Sequence, residues 1–331
     1  MAYQDLPKIE LHLHLDCSLS YEAARMLEPG LTLDTFREEF IAPAKCADLV
    51  EYIDRATRSI GLMQTPEALR LVTLDLFRQL QEDNVIYAEI RFAPLEHTLR
   101  GMTPEAVVAA VDEAVATGIQ QYGIQAGILL CTLRHYTEEQ SLQTIKLVEQ
   151  FHGTSHVVGF DIASDEAGYP IDNHIAAFAY AKAKNIPCTA HAGEALGAHS
   201  VWKTLQHFQP SRIGHGVRSV EDPRLIDHLR KHNIHLEVCP TSNVQTNVYS
   251  TIRQHVADQL YQAEVSMSIN TDGRTLTNID LFHEYNLLAD QFGWEASHFL
   301  RCNLEAVAHA FAPESVKATL RQQLLEGWGI V

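Results

Sequence analysis

Apolar and polar residues alternate strictly from Ile9 to Asp16, near the start of the chain. A period of two is the period of a β-strand, so the side chains of His12 and His14 point to the same face of the predicted strand. Imidazole rings placed in this way can converge on one metal ion. A partly buried strand with two hydrogen-bonded histidines explains the pattern equally well, so the pair alone is weak evidence for a metal site.

Strand-like and helix-like segments continue to alternate along the rest of the chain. The predicted strands are residues 8–14, 85–92, 125–131, 157–162, 187–191, 212–215, 235–238 and 265–270. The predicted helices between them include residues 104–121, 138–151, 173–184 and 222–232. Such alternation indicates parallel strands joined by crossover helices, and eight strands predict a closed (β/α)8 barrel, the TIM barrel of the α/β class.

The segment from about residue 20 to residue 82 interrupts this alternation. It contains no predicted strand, and its apolar residues recur at helical spacing, as Leu69, Val72, Leu76 and Leu80 do. We expect a helical cap, inserted after the first strand, that covers the mouth of the barrel and closes a water-poor pocket. An enlarged crossover connection of ordinary packed helices is the alternative. Because no linker or repeat is visible, residues 1–331 are predicted to form a single domain.

The balance of charge argues against some classes of partner. The 331 residues include 25 Lys and Arg against 42 Asp and Glu, a formal net charge of −17, with no run of basic residues. A surface this acidic repels phosphate groups, so we expect neither nucleic acid nor an anionic membrane as a partner. These features predict no oligomeric state.

The first residues and the cysteines point to a cytoplasmic protein. The first eight residues do not resemble a secretory signal, and no apolar stretch reaches the length of a membrane span. Six cysteines are scattered without a Cys-X-X-Cys pair, which favours reduced thiols. That spacing argues against a zinc site of paired cysteines and against the Pro-Cys-X-X-Cys site of cytidine deaminases.

Polar side chains stand at the ends of four predicted strands. His12 and His14 end the first strand, His191 the fifth and His215 the sixth, and Asp272 follows the eighth. In such barrels the catalytic residues gather at the carboxyl ends of the strands, so these five side chains are predicted to share one rim.

Three imidazoles and one carboxylate form a ligand set that suits zinc and leaves room for a water. A zinc ion lowers the pKa of that water and provides a nucleophile near neutral pH. Glu194, just beyond a strand end, is assigned to proton transfer, because a buried carboxylic acid can keep its proton. His215 is expected either to help deprotonate the water or to stabilise the developing oxyanion. Each residue also has an ordinary explanation: a packed histidine for His215, and a turn or helix cap for Asp272.

Five motifs resemble those of the adenosine deaminase family, within the wider group of metal-dependent amidohydrolases. They are residues 6–16, 190–194, 212–216, 239–243 and 270–272, so the likeness runs nearly from end to end. Together the motifs are highly specific for the family and less specific for the substrate.

The resemblance implies a barrel that holds one zinc ion and deaminates a 6-aminopurine nucleoside by hydrolysis, with adenosine as the leading substrate and inosine and ammonia as products. The implied metal ligands are His12, His14, His191 and Asp272. The implied catalytic residues are Glu194, which protonates a ring nitrogen, His215, which assists the attacking water, and Asp272, which orients it. The implied substrate-binding residues are His14, Asp16 at a ribose hydroxyl, Ser164 and Gly273.

Three positions depart from the family pattern. Cys17 and Ser164 stand where glycine is frequent, and Gly273 stands where a second aspartate usually contacts the five-membered ring of the purine. These three positions therefore predict that recognition of the base differs from the family pattern.

Several other functions stay open on the sequence alone. Within the family, the substrate could be 6-aminodeoxyfutalosine, adenine or an N6-methyl-adenine nucleotide, although no basic pocket for a 5′-phosphate is identified. A different amidohydrolase with two metal ions is a second class, and a catalytically silent binding relative is a third.

Overall fold

The computed structural model describes residues 3–329, in which eight β-strands are interleaved with sixteen α-helices. The strands are β1 (Lys8–His14), β2 (Val85–Phe92), β3 (Gln125–Leu133), β4 (Val157–Ala163), β5 (Thr189–Ala192), β6 (Arg212–His215), β7 (His235–Val238) and β8 (Met267–Ile269). The helices are α1 (Tyr21–Leu27), α2 (Leu33–Glu39), α3 (Leu49–Asp54), α4 (Ala56–Leu62), α5 (Pro66–Glu82), α6 (Pro104–Tyr122), α7 (Glu138–Phe151), α8 (Ile175–Ala183), α9 (Ala198–Phe208), α10 (Pro223–Lys231), α11 (Pro240–Gln245), α12 (Ala257–Gln262), α13 (Arg274–Thr277), α14 (Leu281–Phe292), α15 (Ala296–His309) and α16 (Glu314–Gly327).

The strands form two parallel four-stranded sheets, β1 to β4 and β5 to β8, each in sequence order. Two junctions join the sheets. At one, the amide of Phe160 donates to the carbonyl of Pro187 at 3.0 Å. At the other, the amide of His14 donates to the carbonyl of Asp272 at 2.8 Å, and the amide of Asp272 donates to the carbonyl of His12 at 3.1 Å. The two sheets therefore close into the predicted (β/α)8 barrel.

All eight predicted strands are present, and the two clearest differences in length have local causes. β5 begins at Thr189, because Pro187 has no amide hydrogen to donate to a ladder. β8 ends at Ile269, because the side chain of Asn270 replaces the backbone there: its Oδ1 accepts from the amides of Leu11, at 2.9 Å, and of His12, at 3.1 Å.

The segment between β1 and β2 is helical, as expected, and consists of α1 to α5. The apolar stripe of α5 is fully buried against the rest of the protein. Helices α3 and α4 lie over the mouth of the barrel, where Tyr52, Ile53, Ala56 and Ile60 line a cavity. The helical cap is thus confirmed. The single domain stays a prediction, and residues 1–2 and 330–331 of its proposed range lie outside the described residues.

Helices in the described part of the chain are too short or too polar to span a membrane.

Candidate active site

The structure brings the four predicted metal ligands together at one end of the barrel. The ligand atoms of His12, His14, His191 and Asp272 all lie within 4.8 Å of one another. His14 Nε2 is 3.2 Å from His191 Nε2, and Asp272 Oδ1 is 3.4 Å from both His12 Nε2 and His14 Nε2. Nitrogen and oxygen ligands of tetrahedral zinc stand about 3.3 to 3.6 Å apart, given bonds of about 2.0 to 2.2 Å. The spacing of the group therefore fits a zinc ion.

A second observation also favours a cation at this point. His12 Nδ1 lies 2.9 Å from Glu237 Oε2, which fixes the hydrogen on Nδ1 and leaves a lone pair on Nε2. That Nε2 atom is fully buried and has no hydrogen-bond partner among the described residues. A lone pair that faces a carboxylate in a buried site is unfavourable unless a positive charge lies between them.

Two buried carboxylates in the barrel interior orient the imidazole rings of His12 and His191. Glu237 accepts from His12, and Asp161 Oδ2 lies 3.1 Å from His191 Nδ1. Arg91 joins the two carboxylates, since its Nη1 donates to Asp161 at 2.8 Å and its Nη2 donates to Glu237 at 2.7 Å. Burial alone would raise the pKa of Asp161, but His191 and Arg91 hold it below its usual value, so the carboxylate is ionised.

Sequence reasoning assigned no role to Arg91, Asp161 or Glu237. The available signal was a charged residue inside each of three largely apolar strands, of which β2 also contains Glu89 and β7 also contains His235. Such a residue is rarely buried without a partner, so each could have been marked as one member of a buried pair.

The other oxygen of Asp272 is held by a neighbouring hydroxyl. Ser242 Oγ donates to Asp272 Oδ2 at 2.6 Å, which leaves Oδ1 facing the imidazoles. Asp272 has φ of 66°, and the nearby site residues His215 and Ser164 have φ of 60° and 84°. Left-handed backbone at non-glycine residues is strained, and strain of this kind concentrates at functional sites.

Glu194 and His215 lie beside the ligand group. Glu194 Oε2 is 3.5 Å from His215 Nε2, and Glu194 Oε1 accepts from Thr246 Oγ1 at 3.3 Å. Burial, and then the nearby charges of Asp272 and Glu166, raise the pKa of Glu194 well above its usual value. Burial also lowers the pKa of His215. The pair is thus a neutral acid beside a neutral base.

Two further residues, to which the sequence assigned no role, position this pair. Asn243 Nδ2 lies 3.1 Å from His215 Nδ1 and 3.5 Å from Glu194 Oε1. Glu166 accepts from the amides of Gly193 and Glu194 at 2.7 and 3.0 Å, and so holds the turn that carries the acid.

These groups face a cavity of about 180 Å³ between the barrel and the cap. The predicted substrate-binding residues His14, Asp16 and Ser164 line it, together with Glu194, whereas Gly273 lies next to it without lining it. Asp16 Oδ1 is buried and has no hydrogen-bond partner among the described residues. The predicted residues are therefore gathered at one cavity, while the role of each stays a prediction.

Comparison with known proteins agrees with this geometry. The family model described as adenosine deaminase matches residues 7–327. A protein of Streptomyces coelicolor named adenosine deaminase 1 is 35% identical, over 93% of this chain and 83% of its own length. The adenine deaminase of Arthrobacter aurescens has the same fold, with a TM-score of 0.90 at 24% identity, covering 98% of this chain and 100% of that one. The N6-methyl-AMP deaminase of Arabidopsis superimposes with a TM-score of 0.86 at 26% identity, covering 98% of this chain and 99% of that one. The chain belongs to the adenosine deaminase family and is a hydrolytic deaminase.

Proposed function

We propose that this enzyme holds one zinc ion and deaminates a 6-aminopurine nucleoside, with adenosine as the substrate and inosine and ammonia as products. The observation that carries the proposal is the gathering of three imidazoles and one carboxylate within 4.8 Å of one another, beside a small cavity lined by Glu194, whose pKa is raised by burial.

The residues of the cavity divide the reaction between them. His12, His14, His191 and Asp272 would hold the ion, which supplies a Lewis acid that lowers the pKa of a water. Water adds to the carbon that bears the amine, the bond from that carbon to nitrogen breaks, and ammonia leaves.

Two side chains transfer protons, and a third orients the attacking water. Glu194 would donate its proton to the ring nitrogen next to the reacting carbon, which makes that carbon more electrophilic. His215, 3.5 Å from Glu194 and with a pKa lowered by burial, would accept a proton from the attacking water and pass it to the amine as ammonia leaves. Asp272 Oδ1 would accept a hydrogen bond from the same water and orient it.

The charges of the cavity favour a neutral nucleoside over a nucleotide. Its lining includes the carboxylates of Asp16 and Glu96 and contains no lysine or arginine among the described residues. A 5′-phosphate near these carboxylates would be repelled. Free adenine, in turn, would leave Asp16 Oδ1 without the hydroxyl donor that a ribose offers.

A two-metal amidohydrolase is the alternative from another class. Such sites often use a bridging lysine or glutamate at the end of the fourth strand, and β4 ends here at Ala163, followed by Ser164. Metal analysis of the purified protein should therefore give one tightly bound ion per chain, and two ions would favour the alternative.

Substrate profiling tests the proposal. Zinc-loaded enzyme should release ammonia from adenosine with a higher kcat/KM than from adenine, N6-methyl-AMP or 6-aminodeoxyfutalosine. A value for adenosine a thousandfold below that of another compound would make adenosine the wrong substrate.

The role of Glu194 has a separate test. Glu194→Gln should keep its metal and lose at least about a hundredfold in kcat, as expected for a positioned acid. Glu113→Gln, an exposed change on α6, is the matched control and should keep full activity. Equal activity in the two variants would refute the assignment of the acid.

A further inference from the structure

Two side chains occupy the space next to Gly273 at the edge of the cavity. A Cβ atom at position 273 would lie 2.7 Å from Cβ of Cys17 and 3.3 Å from the hydroxyl oxygen of Tyr52. No side chain can therefore project from position 273 without displacing Cys17. The polar side-chain atom nearest to this position is instead the hydroxyl oxygen of Tyr52, from the cap, at the same distance as the carbonyl oxygen of Cys17.

The hydroxyl group of Tyr52 makes no hydrogen bond with any residue that the structure describes. Tyr52 lies on α3, is 4% exposed and lines the cavity together with His14, Glu194 and Asp272. Its hydroxyl oxygen is fully buried and makes no hydrogen bond among the described residues. A buried hydroxyl left unpaired is costly, so a partner supplied by a ligand would be favourable.

The ring of Tyr52 is held in place while its hydroxyl stays available. The ring belongs to an apolar cluster with Leu49, Ala56 and Leu276, which fixes it between the cap and the rim of the barrel. The neighbouring hydroxyl of Ser242 donates to Asp272 and makes no hydrogen bond with Tyr52. Burial raises the pKa of Tyr52 well above its usual value, so the phenol keeps its hydrogen and can donate it.

We propose that Tyr52 is a specificity-determining residue, whose hydroxyl donates a hydrogen bond to one of the ring nitrogens N3 and N7 of the bound aminopurine. The proposal rests on the proposed function, and it assigns recognition of the base to the cap rather than to the residue that follows Asp272. Unprotonated ring nitrogens of a purine are acceptors, and a neutral phenol is a matching donor in a cavity whose other polar groups are mostly carboxylates and imidazoles.

Tyr52→Phe removes this hydroxyl and keeps the ring that packs in the cluster. In the zinc-loaded enzyme, the variant should lose about three- to tenfold in kcat/KM for adenosine and in the affinity for inosine measured by calorimetry, the size of one neutral hydrogen bond. Tyr21→Phe is the matched control: it removes a hydroxyl from α1 that donates to the carbonyl of Leu31, away from the cavity. It should leave both values unchanged.

Analogues that lack one ring nitrogen separate a hydrogen bond from a change in packing. We expect the inhibition constants of 3-deazaadenosine and 7-deazaadenosine to differ in their response to Tyr52→Phe. The analogue that lacks the nitrogen facing Tyr52 should bind wild type and variant alike, and the other should bind the variant more weakly. Equal losses for both analogues, or no loss for adenosine, would overturn the proposal.

Failure of the proposed function would look different. If the wild-type enzyme releases ammonia from no 6-aminopurine, the proposed function is wrong and this proposal falls with it. If the wild type is active and Tyr52→Phe matches it in every measurement, only the role of Tyr52 is wrong.

Discussion

The floor of the cavity, formed by the barrel strands, is held by buried charges, whereas its roof, formed by the cap helices, is mostly apolar. In the floor, Arg91 pairs with both Asp161 and Glu237, and all three are fully buried. In the roof, Leu49 and Ile53 line the cavity, with Tyr52 as a polar contact. The floor orients the imidazole rings through hydrogen bonds to buried carboxylates, which the geometry of a metal site requires. The roof, by contrast, has few polar groups with which to recognise a substrate.

The largest expected effect on stability comes from removing the positive charge of Arg91, which pairs with both carboxylates of the floor. Arg91→Met would leave Asp161 and Glu237 buried without their shared cation, and should lower the free energy of unfolding by about 3 to 5 kcal/mol. The control, Arg224→Met, breaks an ion pair made by an exposed arginine with Asp222 and should change stability little. Urea unfolding measures both, and similar losses in the two variants would contradict the description of the floor.

Burial raises the pKa of the Glu284 carboxyl group, whereas the pKa of Asp161 in the floor is lowered. The contribution of Glu284 to stability should therefore depend on pH in the opposite direction. Glu284 accepts from the amide of Thr241, and burial, with the nearby carboxylates of Glu10 and Asp272, raises its pKa to about 8. Between pH 4.5 and about 8 the folded state keeps a proton that the unfolded state releases, so the free energy of unfolding falls as pH rises through this window.

Glu284→Gln should remove that contribution. From pH 5.5 to pH 7.5, the wild type should lose about 2 to 3 kcal/mol more than the variant, at about 1.4 kcal/mol per pH unit. Urea unfolding at the two pH values measures the difference, and parallel pH profiles would show that Glu284 is ionised in the folded protein.

A smaller loss of stability tests the packing of Gly273 against Cys17 at the edge of the cavity. Gly273→Asp should cost about 1 to 3 kcal/mol, because its Cβ would lie 2.7 Å from that of Cys17. Adding Cys17→Gly should recover most of the loss, and Cys17→Gly alone is the control. A double variant no more stable than Gly273→Asp would show that the two positions are not coupled.

The smallest effect concerns the backbone at the end of β4. Ser164 has φ of 84°, where glycine is favoured, so Ser164→Gly should raise stability by about 1 kcal/mol. Ser164→Ala keeps the strain and should bring no gain in thermal unfolding. A gain with alanine as well would place the effect in the side chain rather than in the backbone.

The parts of this protein that could be predicted from the sequence are those with a local pattern. The strands have a period of two or are short apolar runs, and the candidate site residues stand at their ends, so the barrel and the shared rim follow from spacing. The choice of the four ligands among these residues came from the resemblance to the family. The extra strand length predicted around β8 failed because Asn270 uses its side chain where a backbone group was expected.

The remainder depends on contacts between distant residues. Arg91, Asp161 and Glu237 are separated by at least 70 positions, so no local pattern in the sequence pairs them. Tyr52 occupies a helix whose spacing marks only which face is apolar. Its place beside Gly273 depends on how the cap rests on the barrel, which no local pattern records.

The seam at which the barrel closes is also the place where its first and last strands meet the ligand group. Asp272 bonds through its main chain to His12 and His14, and the side chains of the same three residues belong to that group. An ion bound there would cross-link the first strand to the residue that follows the last strand. His12, His14 and Asp272 would then both hold the metal and stabilise the closure of the barrel.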